Sequence, residues 1–234
     1  MISRKAVLAG HSEIGRDDIR HFIFEIPELD LFDFVPGQFV SFTEQIGEKK
    51  ITRAYSIASP PLGNNRFELC INLVQDGKFT PTLWSKQIGD SLDVKGPSGG
   101  FVMHKPPRDC IFVATGTGIA PFRSMAIDLL KRDSETKMTL IFGTRYEQNL
   151  TYVDELEALA AAHPNFKFVY AVSRPSEEWK GRSGRVQQYL IDALGDRTDL
   201  DVYICGLKEM VDDVRNLLKE RGFDKKQIVY ERYD

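Results

Sequence analysis

Residues 110–132 read CIFVATGTGIAPFRSMAIDLLKR. CIFVATG is a short apolar run closed by a glycine, the pattern of a strand covered on both faces. PFRSMAIDLLKR reads as the helix that follows it, and the turn between them is GTGIAP, 116–121. The same unit then recurs. MTLIFGTR (138–145) precedes a helix near YVDELEALAAAH, FKFVYAVSR (166–174) precedes RVQQYLIDALG, and DVYICG (201–206) precedes KEMVDDVRNLLKERG, with QIVYERYD after it. Alternating strands and helices predict a parallel sheet with helices on both faces.

Upstream of Cys110 the texture changes at KPPRD, 105–109. HFIFEI (21–26), QFVSF (38–42), ITRAYSIAS (51–59), FELCINLV (67–74) and DSLDVKGP (90–97) read as short strands. Turns VPG (35–37), PPLGNN, QDGKFTP and GPSGG separate them, and TPTLWSKQ (80–87) reads as a short helix. This pattern predicts an antiparallel barrel or sandwich. The expected organisation is two-domain: an antiparallel β-barrel domain over 1–105, followed by an α/β parallel-sheet domain over 106–234.

The chain has 234 residues, 42% hydrophobic and 28% charged, with net charge −3. That balance is globular, and its sign favours neither nucleic acid nor an anionic membrane. No apolar run approaches the roughly 20 residues of a membrane span. The first residues, MISRKAVLAGHSEIG, hold only AVLAG as an apolar stretch, too short for a signal-peptide core, so a cytoplasmic location is expected. Cys70, Cys110 and Cys205 lie far apart in sequence. Local spacing therefore assembles neither a zinc site nor an iron–sulfur cluster, and no structural metal is expected.

Parallel sheets bind ligands beyond the carboxyl ends of their strands. GTGIAP, FGTR (142–145), VSR (172–174) and CGL (205–207) all follow strands directly. In GTGIAP the glycines let backbone approach an anion at a helix N-terminus. Pro121 stands where the third glycine of G-x-G-x-x-G would be, so the segment also reads as a well-made strand-to-helix turn. Cys205 is equally a buried core thiol on residue type alone. RAYS (53–56), taken by itself, is a strand with a surface arginine and a packed tyrosine.

RAYS, GPSGGF (96–101), GTGIAP, FGTR and a CG before an acidic helix occur in this order in the ferredoxin–NADP(+) reductase family. The sequence resembles that family along essentially its whole length. RAYSIAS followed by DGKFTPTL (76–83) is especially similar to its bacterial branch. The resemblance implies an FAD-dependent oxidoreductase exchanging electrons between NADP(H) and a one-electron protein carrier, ferredoxin or flavodoxin, through flavin N5. It implies that Arg53 reaches the flavin pyrophosphate, Tyr55 lies flat on the isoalloxazine and Ser56 hydrogen-bonds near N5, with Ala54 between them. Backbone from Ile71, Asn72 and Leu73 would hold the flavin edge. Gly77, Lys78, Phe79 and Thr80 would form a second phosphate-contacting turn, where Lys78 also reads as an exposed hairpin lysine. GPSGGF reads as a structural turn where the chain leaves the barrel.

In the second domain the resemblance sets Gly116 and Thr117 at the nicotinamide carboxamide, Thr117 also toward the flavin, and Cys205 with Gly206 beside the transferring carbon. Glu231 would assist proton handling and Tyr233 would cover the ring; Ser56, Cys205 and Glu231 are thus the implied catalytic residues. The last residues read YERYD, with Asp234 in place of the family's terminal aromatic. Ser173 and Arg174 resemble the family's NADP-selecting pair, alongside Arg145, with Arg182 or Arg185 completing a clamp. Glu177 and Glu178 dilute the charge there, and the balance favours NADP over NAD. Lys49, Lys50, Arg66 and Lys78 are candidates for a docking patch. Three other readings stand beside this one: an NADH-dependent reductase component of an oxygenase, an NAD(P)H–flavin reductase, and a non-catalytic NADP(H)-binding module.

Strand alternation puts Arg53 and Tyr55 on one side and Ser56 on the other. A straight strand with Tyr55 inside the barrel core would contradict the flavin seat.

Overall fold

A computed structural model describes residues 2–15, 18–132 and 135–233, so Asp234 lies outside the described residues. The chain groups into two units, Met1–Val102 with Arg123–Asp128, and Met103–Phe122 with Leu129–Asp234.

The first unit holds β1 (Arg4–Glu13), β2 (Ile19–Glu25), β3 (Phe39–Ile46), β4 (Lys49–Ser56), β5 (Arg66–Asn72), α1 (Phe79–Trp84) and β6 (Ser91–Ser98). They form one sheet in the order β4-β3-β6-β1-β2-β5, antiparallel throughout. The ends of that order meet just past β4, where Ile57 bridges Leu69 and the Ala58 N–H donates to Glu68 O at 2.8 Å. This closure makes the expected antiparallel barrel. Inward positions of the strands carry Phe22, Phe24, Phe42 and Phe67, with Phe24 and Phe42 rings 4.8 Å apart. Burying each such side chain stabilises by about 1.5–3 kcal/mol.

Two local features differ from the sequence reading. Residues 4–13 form β1, which lies between β6 and β2 in the sheet, although they read as an unassigned leading segment. Only Ala6 and Leu8 of that strand are fully buried, too few to print a period-two pattern. β3 and β4 also run further toward each other than read, joined at Ile46 and Lys49 by the two-residue turn Gly47–Glu48. Gly47 has φ +61, the backbone such tight hairpins need.

The second unit holds β7 (Cys110–Thr115), α2 (Ala120–Lys131, whose middle groups with the first unit), β8 (Met138–Thr144), α3 (Val153–Ala162), β9 (Phe166–Val172), α4 (Val186–Leu194), β10 (Asp201–Leu207), α5 (Lys208–Glu220) and β11 (Ile228–Tyr233). The strands are all parallel, in the order β11-β10-β7-β8-β9. Helix α5 buries Val211, Val214 and Leu218, and α4 buries Val186, Leu190 and Leu194, the single apolar stripes of surface helices. From β7 the chain steps outward through β8 and β9, then crosses back to β10 on the other side of β7. The reversal point lies between β7 and β10, and ligands of open parallel sheets bind beyond the carboxyl ends at such a point.

Candidate active site

At the carboxyl ends of β7 and β10 two glycine turns pack into each other. Gly116–Ile119 makes a single 3-10 turn before α2. A side chain at Gly118 would overlap the Cys205 carbonyl. One at Gly206, where φ is +152, would run into Thr115 Oγ1 and come within 2.8 Å of Met210 Cε. Gly116 behaves oppositely: at φ +55 an added Cβ meets nothing within 4 Å. Beside this opening, Thr115 Oγ1 is buried with no hydrogen-bond partner among the described residues, and Thr117 is half-buried. A backbone-lined opening with an unsatisfied hydroxyl fits the polar edge of a bound nucleotide. Thr115 was not singled out from sequence, since its residue type carries no signal at the end of a strand.

The parallel register sets Cys205 opposite Glu231 and Leu207 opposite Tyr233. Cys205 is fully buried. Burial pushes its thiol well up, the Glu231 charge pushes it further, and a hydrogen bond with Tyr233 pulls the other way. The sulfur is therefore a neutral thiol near pH 7, with little nucleophilic character. Cys205 is both a core thiol and a member of the cluster that Glu231 and Tyr233 complete.

Beyond β8 and β9 the paired chains continue as loops. The Ser173 N–H donates to Thr144 O at 2.9 Å and the Arg174 N–H to Arg145 O at 2.8 Å. This zipping sets Arg145 and Arg174 side by side, both exposed, and neither has an ion-pair partner among the described residues. Ser173 Oγ donates to Thr144 O at 3.3 Å. Arg182 is exposed, and its carbonyl accepts from the Val172 N–H and from Trp179 Nε1. Arg185 precedes α4 and lies 3.9 Å from Asp213, so its charge is partly answered on α5. The Ser176 N–H contacts the Glu147 carboxylate at 3.3 Å, and hydrogen bonding to Ser176 holds that carboxyl below its usual range.

In the first unit, β4 ends the strand order and pairs with β3 alone among the described strands. Tyr55 pairs with the core residue Val40, and Arg53 with the core residue Phe42, so both lie on the core side of β4, the arrangement set against the flavin seat above, while Ser56 is turned to the opposite side; Tyr55 packs against the edge of the core and stays half-buried rather than enclosed in it. Arg53 is exposed at the rim. Tyr55 is half-buried there, its ring 6.2 Å from Phe42 and 6.0 Å from Phe79; burial pushes its hydroxyl pKa up, and Arg53 opposes this. Ser56 is buried. Several neighbours have local duties. Ile71 and Phe79 are core residues, the Leu73 N–H donates to Asp18 O at 2.6 Å, and Thr80 Oγ1 accepts from the Val74 N–H at 2.9 Å. Asn72 and Lys78 are exposed, Lys78 at the start of α1, and the Gly77 N–H donates to Val74 O.

An antiparallel barrel and a parallel sheet with glycine turns at its switch point are the frame, and the class, an oxidoreductase with FAD-binding and NAD-binding domains, comes from the family matches. The family description "Oxidoreductase FAD-binding domain" matches residues 5–103 and "Oxidoreductase NAD-binding domain" matches 112–216. The chain is 37% identical over 225 residues to ferredoxin–NADP reductase B of Sorangium cellulosum (strain So ce56), covering 92% of each chain. It is 31% identical over 206 residues to a toluate 1,2-dioxygenase electron transfer component of Pseudomonas putida, covering 88% of this chain but 60% of that one. A solved ferredoxin–NADP+ reductase from Plasmodium falciparum shares the fold, with a TM-score of 0.82 at 23% identity over 99% of this chain and 96% of that one. The chain belongs to the ferredoxin–NADP(+) reductase family.

Proposed function

We propose that the protein exchanges electrons between NADP(H) and a one-electron carrier protein, a ferredoxin or flavodoxin, in the cytoplasm, with FAD seated on the RAYS strand. The observation that carries this reading is the contact of the 116–118 and 205–206 turns at the switch point, with Glu231 and Tyr233 gathered on Cys205. FAD, when bound, supplies the exchange between a two-electron hydride donor and a one-electron carrier. The chain's own residues do the rest. Arg53 offers its planar fork to a pyrophosphate. The outer edge of β4 offers backbone to the cofactor, Tyr55 excludes water, and Ser56 presents a hydroxyl to flavin N5. The neutral thiol of Cys205 walls the nicotinamide, and the Glu231 carboxylate beside it is a proton acceptor. Tyr233, at the end of β11, completes the group around Cys205.

For the nucleotide, the adjacent Arg145 and Arg174 with Ser173 suit a 2′-phosphate, and the name of the Sorangium relative agrees. Arg182 lies on the same loop, whereas the contact of Arg185 with Asp213 weakens its claim. A second reading, an NADH-dependent reductase component of an oxygenase, is favoured by the likeness to the toluate dioxygenase component and by the exposed Glu177 and Glu178. A carrier would meet Lys49, Lys50 or Lys78; Arg66 is paired with Glu25 at 3.1 Å.

Steady-state reduction of a dye by NADPH and by NADH, with FAD content determined, tests the reading. A charged hydrogen bond contributes about 1.5–3 kcal/mol, roughly 10–100-fold, so kcat/KM is expected to be at least about tenfold higher with NADPH. Arg174→Ala should remove most of that preference and leave NADH use nearly unchanged. Comparable efficiencies in the unmodified protein would overturn the NADP assignment. Loss of FAD on gel filtration would favour the flavin-reductase alternative.

A further inference from the structure

The chain leaving RAYS is fastened at three successive residues. Ile57 bridges Leu69, the Ala58 N–H donates to Glu68 O at 2.8 Å, and Ser59 Oγ accepts from the Glu68 N–H at 3.1 Å. From α2, Arg123 Nη1 donates both to Ala58 O and to Glu68 Oε2, each at 2.9 Å, while Ser124 Oγ donates to Ser59 O at 2.6 Å. His21 Nε2 lies 3.6 Å from the same Glu68 oxygen. All of these residues belong to the first unit. The site is nearly dry: Ala58, Ser59 and Ser124 are fully buried, and the Arg123 and Glu68 side chains are 11% and 19% exposed.

A pair this buried has lost most of its hydration, and such pairs often stabilise no better than apolar residues of the same volume. Its location supplies another use. Ala58 follows Ser56 by two residues, and Arg123 follows Thr117 by six on the helix that opens from the GTG turn. One nitrogen therefore holds the exit of the RAYS strand to β5 and to α2 together.

We propose that Arg123 is a positioning residue that acts through Ser56, fixing how the flavin is seated rather than how tightly it is held. The inference rests on the reading of Ser56 as the partner of flavin N5. Arg123 itself needs to touch neither cofactor. Without it, the Ala58 carbonyl and the Glu68 carboxylate lose their shared donor, the 57–59 segment loosens, and the Ser56 hydroxyl drifts. A displacement of about 1 Å is enough to slow a reaction roughly 100-fold.

The experiment has two readouts. The first is amide hydrogen exchange in the FAD-free protein. Arg123→Ala should speed exchange at Ala58 tenfold or more and leave β1 and β6 as they were. Arg123→Lys should restore protection, because both bonds come from a single nitrogen that an ammonium can replace. The second is the rate of flavin reduction by NADPH in the FAD-loaded protein. Arg123→Ala should lower it at least tenfold with FAD content retained, and should add nothing further in a Ser56→Ala background. If Arg123→Ala does not fold, Glu68→Gln, which keeps volume and an acceptor, is read the same way. Unchanged exchange at Ala58, or losses that multiply in the double variant, would overturn the inference. A slow Ser56→Ala beside a normal Arg123→Ala would sink it while sparing the reading of Ser56. A Ser56→Ala variant as fast as the unmodified protein would remove that reading, and the inference with it.

Discussion

At Gly206 the backbone holds φ +152 and a methyl group has nowhere to go, whereas at Gly116 the backbone is left-handed but the space beyond it is open. The two glycines therefore answer the same substitution differently. Gly206→Ala combines overpacking, roughly 1–3 kcal/mol, with backbone strain of about 1–3 kcal/mol. Gly116→Ala carries only the left-handed penalty of about 1–2 kcal/mol. Thermal melts should order the pair accordingly, while nucleotide affinity, measured by calorimetry, should fall in Gly116→Ala because its methyl enters the opening. Equal melting losses would contradict the packing described at the switch point. The glycines were legible as a turn, but not which of them faces neighbours and which faces space. That distinction depends on Cys205 and Thr115, residues brought together only by the crossing from β9 to β10.

Elements were legible where their own residues print a period. β7 to β10 did so, and so did the helices after β8 and β10. β1 did not, because its place is set by pairing with β6, whose residues follow it by more than 80 positions, and that pairing leaves no local trace. The segment 103–109 behaves similarly. It reads as a proline-rich break, yet it is strapped to the start of β10. His104 Nδ1 lies 3.0 Å from Asp201 Oδ2, Arg108 Nη1 donates to Asp201 Oδ1 at 3.2 Å, and the His104 N–H donates to Tyr203 Oη. Asp201 is fully buried, so its carboxylate depends on these donors. Asp201→Asn keeps the shape but loses the charged acceptor, and urea denaturation should show a loss of about 1–3 kcal/mol. His104 and Arg108, both substantially exposed, regain water in the variant, which keeps the loss from growing larger.

Across the whole molecule, the succession of an antiparallel and a parallel sheet was visible in a change of texture along the sequence, because barrel strands and parallel strands carry different hydrophobic patterns. The Arg123–Glu68 bond was not, since its partners are 55 residues apart and each looks like an ordinary surface charge. Stability should also carry a signature of the buried thiols. Burial raises the pKa of both Cys110 and Cys205, helped by Asp201 and Asp109 for the first and by Glu231 for the second. Tyr203 is likewise pushed up, to about 12. An acid with a raised folded pKa holds its proton more tightly when folded. Its contribution is complete below the unfolded value and is lost as pH rises toward the folded one. Stability should therefore fall from about pH 8.5, the ordinary thiol pKa, by about 1 kcal/mol per pH unit for each thiol. Denaturation at pH 8 and pH 10 should show a shallower decline in Cys110→Ala than in the unmodified protein; identical slopes would contradict the burial of that thiol. The proposed passage of electrons between NADP(H) and a bound FAD can be watched by anaerobic mixing of the FAD-loaded protein with NADPH or with NADH while the flavin's visible absorbance is followed. NADPH should bleach the flavin fully and at least about tenfold faster than NADH at equal concentration. A flavin that stays oxidised with both nucleotides would contradict it.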